Sequence, residues 1–224
     1  MKLILFDIDG TLVITQGAGR EATRNAMTEV FGTYGALVGH KFGGKTDWLT
    51  LHELLPAAGV SHEEIERRME AYNVAMGLHL DAIIDQYEVK ACPGSLELVE
   101  ALSRRDDVGL GIVTGNVSST APIKLRAAGF DPSLFPVGAY GHEAMDRDHL
   151  PALAVARAAE HYRYPFTPAE VIVVGDTLAD IACARALGAV AVAVATGFEK
   201  VEDLQAAKPD YFLNDLTEFS AVFP

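Results

Sequence analysis

The sequence predicts an α/β protein, built on a mostly parallel sheet with helices on both faces and carrying a helical insert after its first strand. Three observations lead there. Short apolar runs at 3–6, 109–113, 136–139, 171–174, 190–194 and 211–213 are each stopped by polar residues or glycine. Between the later runs lie helical patterns at 94–105, 117–128, 149–163 and 178–187. Strands alternating with helices imply a parallel sheet, because each crossover must pass over a face. Residues 15–90, by contrast, show apolar residues stepping by three and four and no strand pattern.

The elements follow in order. Leu3, Ile4, Leu5 and Phe6 are a continuous apolar run, which suits a strand buried on both faces. It ends in Asp7, Ile8, Asp9, Gly10 and Thr11. Read alone, Asp-x-Asp-Gly is also an ordinary capping turn. Ala22, Ala26, Met27, Val30 and Phe31 form one helical face, and a loop with glycines at 32, 35, 39, 43 and 44 follows. A short helix is expected at 47–58. Ser61 and Glu64 have the spacing of a capping box. Beyond them Ile65, Met69, Tyr72, Met76, Leu80, Ile83 and Tyr87 mark a long amphipathic helix. The expected division is therefore a core of 1–14 and 91–224 and a helical unit of 15–90. In open α/β sheets, sites form outside the carboxyl ends of strands, so this unit is expected to hang over the two aspartates as a lid.

Composition narrows the classes. The chain has 224 residues, half of them apolar and 22% charged, so a packed core is expected and disorder is not. The formal net charge is −13, which disfavours nucleic acid or an anionic membrane surface as partner. Cys92 and Cys183 are far apart and belong to no Cys-x-x-Cys pair, and they read as small buried hydrophobes in a reducing compartment. No apolar stretch approaches the ~20 residues of a membrane span, and residues 1–11 do not have the form of a signal peptide. The expected location is cytoplasmic.

Chemistry-bearing residues cluster at strand ends. The run at 109–113 leads into Thr114, Gly115 and Asn116, where a hydroxyl and helix-start N–H groups could bind an anion or merely cap the helix. The run at 171–174 leads into Gly175, Asp176 and, four residues on, Asp180. If this strand neighbours the first, Asp7, Asp9, Asp176 and Asp180 converge. Carboxylates so close must be protonated or share a cation; Mg²⁺, a hard ion with oxygen ligands, suits the set. There is no lysine from 125 to 199, so a phosphate-binding cation from that segment must be an arginine. Arg147 is the candidate, and Arg163 and Lys124 are the fallbacks.

These motifs, in this order and each at a strand end, resemble those of the haloacid dehalogenase superfamily. The resemblance spans the whole chain and implies a Rossmann-like core, with 15–90 as its α-helical cap. It implies that Asp7 is a nucleophile forming an aspartyl-phosphate, and that Asp9 is the proton donor and acceptor, its backbone carbonyl also holding Mg²⁺. It implies further that Asp176 and Asp180 complete the metal site with Asp7. Thr114, with Gly10, Gly115 and Asn116, would bind the phosphoryl group. Members of this superfamily usually carry lysine where Arg147 is assigned. An acid at position 9 marks oxygen esters, because an alkoxide leaving group needs a proton and a halide does not. The segment with Lys45, Thr46 and Asp47 resembles the cap loop of phosphoglycolate-phosphatase-like members, and Lys45 and Arg20 are candidate substrate contacts. The expected activity is a Mg²⁺-dependent phosphatase acting on a small phosphorylated metabolite, phosphoglycolate-like or a sugar phosphate. The alternatives are a sugar phosphomutase and a dormant module that binds metal or phospho-ligand without turnover.

Overall fold

The computed structural model describes residues 1–223. Six parallel strands form the main sheet. In chain order these are β1 (Lys2–Phe6), β4 (Val108–Thr114), β5 (Val137–Tyr140), β6 (Val171–Gly175), β7 (Val190–Val194) and β8 (Tyr211–Leu213). Their spatial order is β5-β4-β1-β6-β7-β8. The first strand is thus central, with Phe6 opposite Ile112 on one side and Val174 on the other.

Both faces of β1 are buried, as its unbroken apolar run requires. Ile4 and Phe6 enter one core with Ile112, Val174 and Val192. Leu3 and Leu5 enter the opposite core with Val113, Val171, Val173 and Ala191. The second core is closed by α6 (Leu150–Tyr162) and α7 (Leu178–Leu187), through Leu150, Ala154, Ala158, Ile181 and Ala184. The first is closed by α4 (Ser95–Ser103) and α5 (Ala121–Ala127), through Val99, Leu102, Ala121 and Leu125.

Two short antiparallel strands, β2 (Val13–Ile14) and β3 (Lys90–Ala91), carry the chain out of the sheet layer and back. Between them lie α1 (Ala18–Phe31), α2 (Asp47–Leu54) and α3 (His62–Ile83). These helices share a separate cluster that includes Ala22, Ala26, Met27, Leu51, Ile65, Met69, Tyr72 and Met76. Met69 and Met76, on the stripe of the long helix, are therefore packing residues.

The helix read at 47–58 stops sooner. Asp47–Leu54 is α-helical and Pro56–Ala58 is a separate 3₁₀ turn, since proline has no N–H to continue the ladder. The helix read at 117–128 starts later, at Ala121. A last helix, α8 (Val201–Ala206), was too short to leave a periodic signal.

Candidate active site

The carboxyl ends of β1, β4 and β6 meet at one point. The ladder extends past Phe6, with the Asp7 N–H donating to the Val174 carbonyl at 2.9 Å, so Asp7 sits where the β6 chain turns into Asp176. Gly10 makes the turn after β1 with φ of 92°, and a Cβ there would lie 2.4 Å from Asp176 Oδ2. Only glycine accepts both demands. The Thr11 hydroxyl then donates to Asp176 Oδ1 at 3.0 Å.

Asp180 is placed by α7. Its Oδ2 accepts from the Thr177 N–H at 3.0 Å and from the Thr177 hydroxyl at 2.7 Å, while Thr177 Oγ1 caps the Asp180 N–H. The residue is thus both a helix-capping charge and, through Oδ1, a site residue. Oxygens of Asp7, Asp176 and Asp180 lie within 4.8 Å of one another, and all three residues are buried.

Among the described residues one cation enters this acidic cluster. Arg147 lies in a 3₁₀ turn, Arg147–His149, capped by Asp146 and running directly into α6. Its Nη2 donates to Asp7 Oδ1 at 3.0 Å and to Asp180 Oδ1 at 2.5 Å. Its Nε is buried with no protein partner among the described residues. A buried donor left unpaired costs free energy comparable to a lost hydrogen bond, and the Cys183 thiol packs beside this guanidinium.

Burial raises the Asp7 carboxyl to about 7; Arg147 and a hydrogen bond from Thr114 oppose the shift, and Asp180 and Asp9 add to it. Burial, helped by Asp7 and Asp180, pushes Asp176 well above the usual carboxylate range. The cluster therefore repels its own full ionisation, even with one guanidinium present. An added divalent cation with a preference for oxygen would relieve this, and the donor set fits Mg²⁺.

A second group lies alongside. Asp9 Oδ2 accepts from Asn116 Nδ2 at 2.7 Å and from Lys124 Nζ at 2.5 Å. Asn116 Nδ2 also donates to Thr114 Oγ1 at 2.8 Å, and Asn116 Oδ1 accepts from Lys124 at 2.7 Å. Lys124, held in reserve as a phosphate clamp, is thus bound to Asp9 instead.

The loop before α2 closes over these groups. The Asp47 N–H donates to the Gly115 carbonyl at 2.7 Å and the Trp48 N–H to the Gly141 carbonyl at 3.0 Å. Thr46 Oγ1 donates to the Met145 carbonyl at 2.8 Å, and Asp47 Oδ2 accepts from the Val117 N–H at 2.8 Å. A Cβ on Gly115 would lie 2.0 Å from the Lys45 carbonyl oxygen, so the absence of a side chain there permits the contact. Asn73 of α3 adds a further tie, accepting from the Ser119 N–H at 3.1 Å.

Two expected substrate contacts have other partners. The Arg20 guanidinium donates to the Leu37 and His40 carbonyls and stacks over Phe42, which stiffens the glycine-rich loop. Lys45 Nζ pairs with Glu53 at 2.5 Å. Arg163 is the left-handed residue that ends α6. The structure joins Asp7, Asp9, Thr114, Asn116, Arg147, Asp176 and Asp180 into one site and leaves the Arg20 and Lys45 side chains outside that hydrogen-bonded set. Sequence reading missed the roles of Thr11 and Asp47. Thr11 stood inside the motif as its unassigned last residue, and Lys124 was read as a fallback phosphate clamp rather than as a partner of Asp9.

Together, a central β1 carrying a buried aspartate, partners delivered by β4 and β6, and a helical cover define an α/β enzyme with a carboxylate-rich site. The sequence profile of the haloacid dehalogenase-like hydrolases matches residues 1–188, and the chain belongs to that family. A phosphoglycolate phosphatase of Synechococcus elongatus is 30% identical over 213 residues, spanning 95% of this chain and 92% of that protein. A phosphoglycolate phosphatase of Pseudomonas putida is 24% identical over 221 residues, 96% of this chain and 77% of that one. Among solved structures, a hydrolase from Pseudomonas syringae shares the fold with a TM-score of 0.69 at 24% identity, covering 99% of this chain and 97% of the other. The protein is thus an enzyme of the haloacid dehalogenase type with phosphoric monoester hydrolases among its relatives.

Proposed function

We propose that the protein is a Mg²⁺-dependent phosphatase that hydrolyses a small phosphomonoester, phosphoglycolate-like or a sugar phosphate, through an aspartyl-phosphate on Asp7. The observation that carries this reading is the surrounding of Asp7. Its carboxylate stands at the end of the central strand, 3.0 Å from a buried guanidinium and beside two further buried aspartates. Such a place suits a nucleophile that must approach an anionic phosphate.

In this reading an Asp7 oxygen bonds to phosphorus while the bond from phosphorus to the ester oxygen breaks. Asp9 gives its proton to that leaving oxygen, so that a neutral alcohol departs. Asp9 then takes a proton from the water that attacks the aspartyl-phosphate, releasing inorganic phosphate and restoring Asp7. Arg147 and Thr114, with the backbone at Gly10 and Gly115, orient the phosphoryl oxygens, and Asn116 holds Thr114 and Asp9 in register. Asp7, Asp176 and Asp180, with the Asp9 carbonyl, would hold Mg²⁺. Bound there, the ion supplies positive charge that offsets repulsion between nucleophile and phosphate. The loop at 45–48 excludes water from one side of the site and selects the alcohol. Residues 15–90 act as the cap.

The monoester class is supported by the relative named phosphoglycolate phosphatase, which is similar over nearly its whole length. The test is Asp7→Asn, assayed with a panel of phosphate esters and with EDTA. Loss of phosphoryl-enzyme and of turnover, with an unchanged circular dichroism spectrum, is expected, as is loss of wild-type turnover on chelation. Full turnover by the variant would remove Asp7 from the nucleophile's role.

A further inference from the structure

Lys124 is a buried charge that the mechanism above does not use. It lies on α5 between Ile123 and Leu125, both core residues, and its own residue exposure is 3%. Burying an ammonium is costly, and a well-packed hydrophobe in such a place is often neutral or stabilising. The fold alone therefore gives no reason for a lysine here. Its hydrogen bonds do. Both run to the site, to Asp9 Oδ2 at 2.5 Å and to Asn116 Oδ1 at 2.7 Å.

The three side chains form a closed triangle, since Asn116 Nδ2 also donates to Asp9 Oδ2 at 2.7 Å. Asp9 needs such support. It stands on the turn beyond β1, and its side chain is 34% exposed. Among the described residues its other oxygen, Oδ1, is held only by the Thr15 hydroxyl at 3.4 Å. A general acid must sit within hydrogen-bond reach of the oxygen it protonates, and a short side chain on an open turn does not keep one direction unaided. Lys124 supplies the shortest contact to Asp9, from a helix held on one side by Ala121 and Leu125 in the sheet-side core and on the other by Ile123 among the inserted helices.

We propose that Lys124 is a positioning residue for proton transfer: through its bond to Asp9, braced by Asn116, it aims the Asp9 carboxyl at the leaving oxygen. The proposal rests on the reading of Asp9 as the proton donor. It separates Lys124 from Arg147, whose contacts are with the nucleophile. Lys124 thus serves the departure of the alcohol rather than the binding of the phosphoryl group.

The experiment compares two substrates in Lys124→Met, Lys124→Gln and Asp9→Asn. An alkyl phosphate needs its leaving oxygen protonated, whereas 2,4-dinitrophenyl phosphate does not. Lys124→Met is expected to lower kcat/KM for the alkyl ester roughly 10²-fold and for the dinitrophenyl ester by no more than about threefold. Asp9→Asn is expected to show the same discrimination, and the Lys124→Met/Asp9→Asn double variant no further loss. The ratio of the two rates is the readout, because partial misfolding lowers both equally. If Lys124→Met does not fold, Lys124→Gln, whose shorter amide does not reach Asp9, decides in the same way. An equal loss on both esters, or a wild-type ratio, overturns the proposal. Absence of discrimination in Asp9→Asn overturns the proton-donor reading itself, which distinguishes the two failures.

Discussion

Replacing Asp47 by asparagine should stabilise the metal-free protein at pH 8, by an amount that follows from where the carboxyl lies. Asp47 opens α2 and is buried, its Oδ2 accepting from the Val117 N–H on the chain leading to α5. Burial raises its carboxyl from 3.8 to about 6, against the pull of the Val117 N–H and Lys124. A carboxyl raised on folding favours the protonated native state. Its stabilising share is complete below the unfolded value and is lost as pH climbs through the folded one. Most of the loss falls between about pH 4 and 6 and, at about 1.4 kcal/mol per unit, totals about 3 kcal/mol. Against this, a carboxylate in the first turn of a helix gains about 0.5–1 kcal/mol from the helix dipole. Asparagine keeps an acceptor for the Val117 N–H and carries no charge. The net gain for Asp47→Asn at pH 8 is therefore about 2 kcal/mol. In a chain of this size that raises Tm by roughly 4–8 °C. At pH 4, where the wild-type carboxyl is neutral in the native state, the gap should shrink to about 0.5 kcal/mol. Thermal melts of both proteins in EDTA at pH 4, 6 and 8 measure it. A gap that does not grow with pH, or a variant less stable than wild type at pH 8, would refute the assignment of a destabilising buried charge.

Other perturbations probe the rest of the site. Arg147→Ala should lower kcat/KM by roughly 10²–10³; near-normal kinetics would place the phosphate clamp elsewhere. Its stability cost should be smaller at pH 6 than at pH 8, since Asp7, raised to about 7, can meet the lost guanidinium by taking a proton. Mg²⁺ binding must displace that proton. Its affinity, read by calorimetry, should fall about tenfold per pH unit below about pH 7, and a pH-independent affinity would argue against Asp7 as a ligand. Gly115→Ala puts a methyl group 2.0 Å from the Lys45 carbonyl. It should push the loop at 45–48 off its seat and cost more in turnover than in melting temperature; unchanged kinetics would show that the loop need not close there.

The legibility of this molecule in its sequence differs between the strand ends and the cover above them. Strands β1, β4 and β6 were readable because burial dominates their local pattern: an apolar run ending in Asp, Thr or Gly-Asp fits a buried strand that delivers a polar group to a sheet edge. Family membership follows from the same segments, since the motifs at Asp7, Thr114 and Asp176 lie in order along the chain. The two-stranded ribbon of β2 and β3 left no pattern. Two residues per strand are too few for periodicity, and the paired residues Val13 and Ala91 stand at opposite ends of the helical insert.

Local sequence determined which residues offer carboxylates, hydroxyls and cations, because side-chain chemistry belongs to each residue alone. Tertiary structure decided their pairing. Arg147 was legible as an arginine before a helix, yet its 3.0 Å approach to Asp7 spans 140 positions. Lys124 was an available cation until the fold brought it to Asp9, and Lys45 was one until α2 brought Glu53 to it. A charge takes the partner that packing brings within reach, and packing is a property of the whole chain.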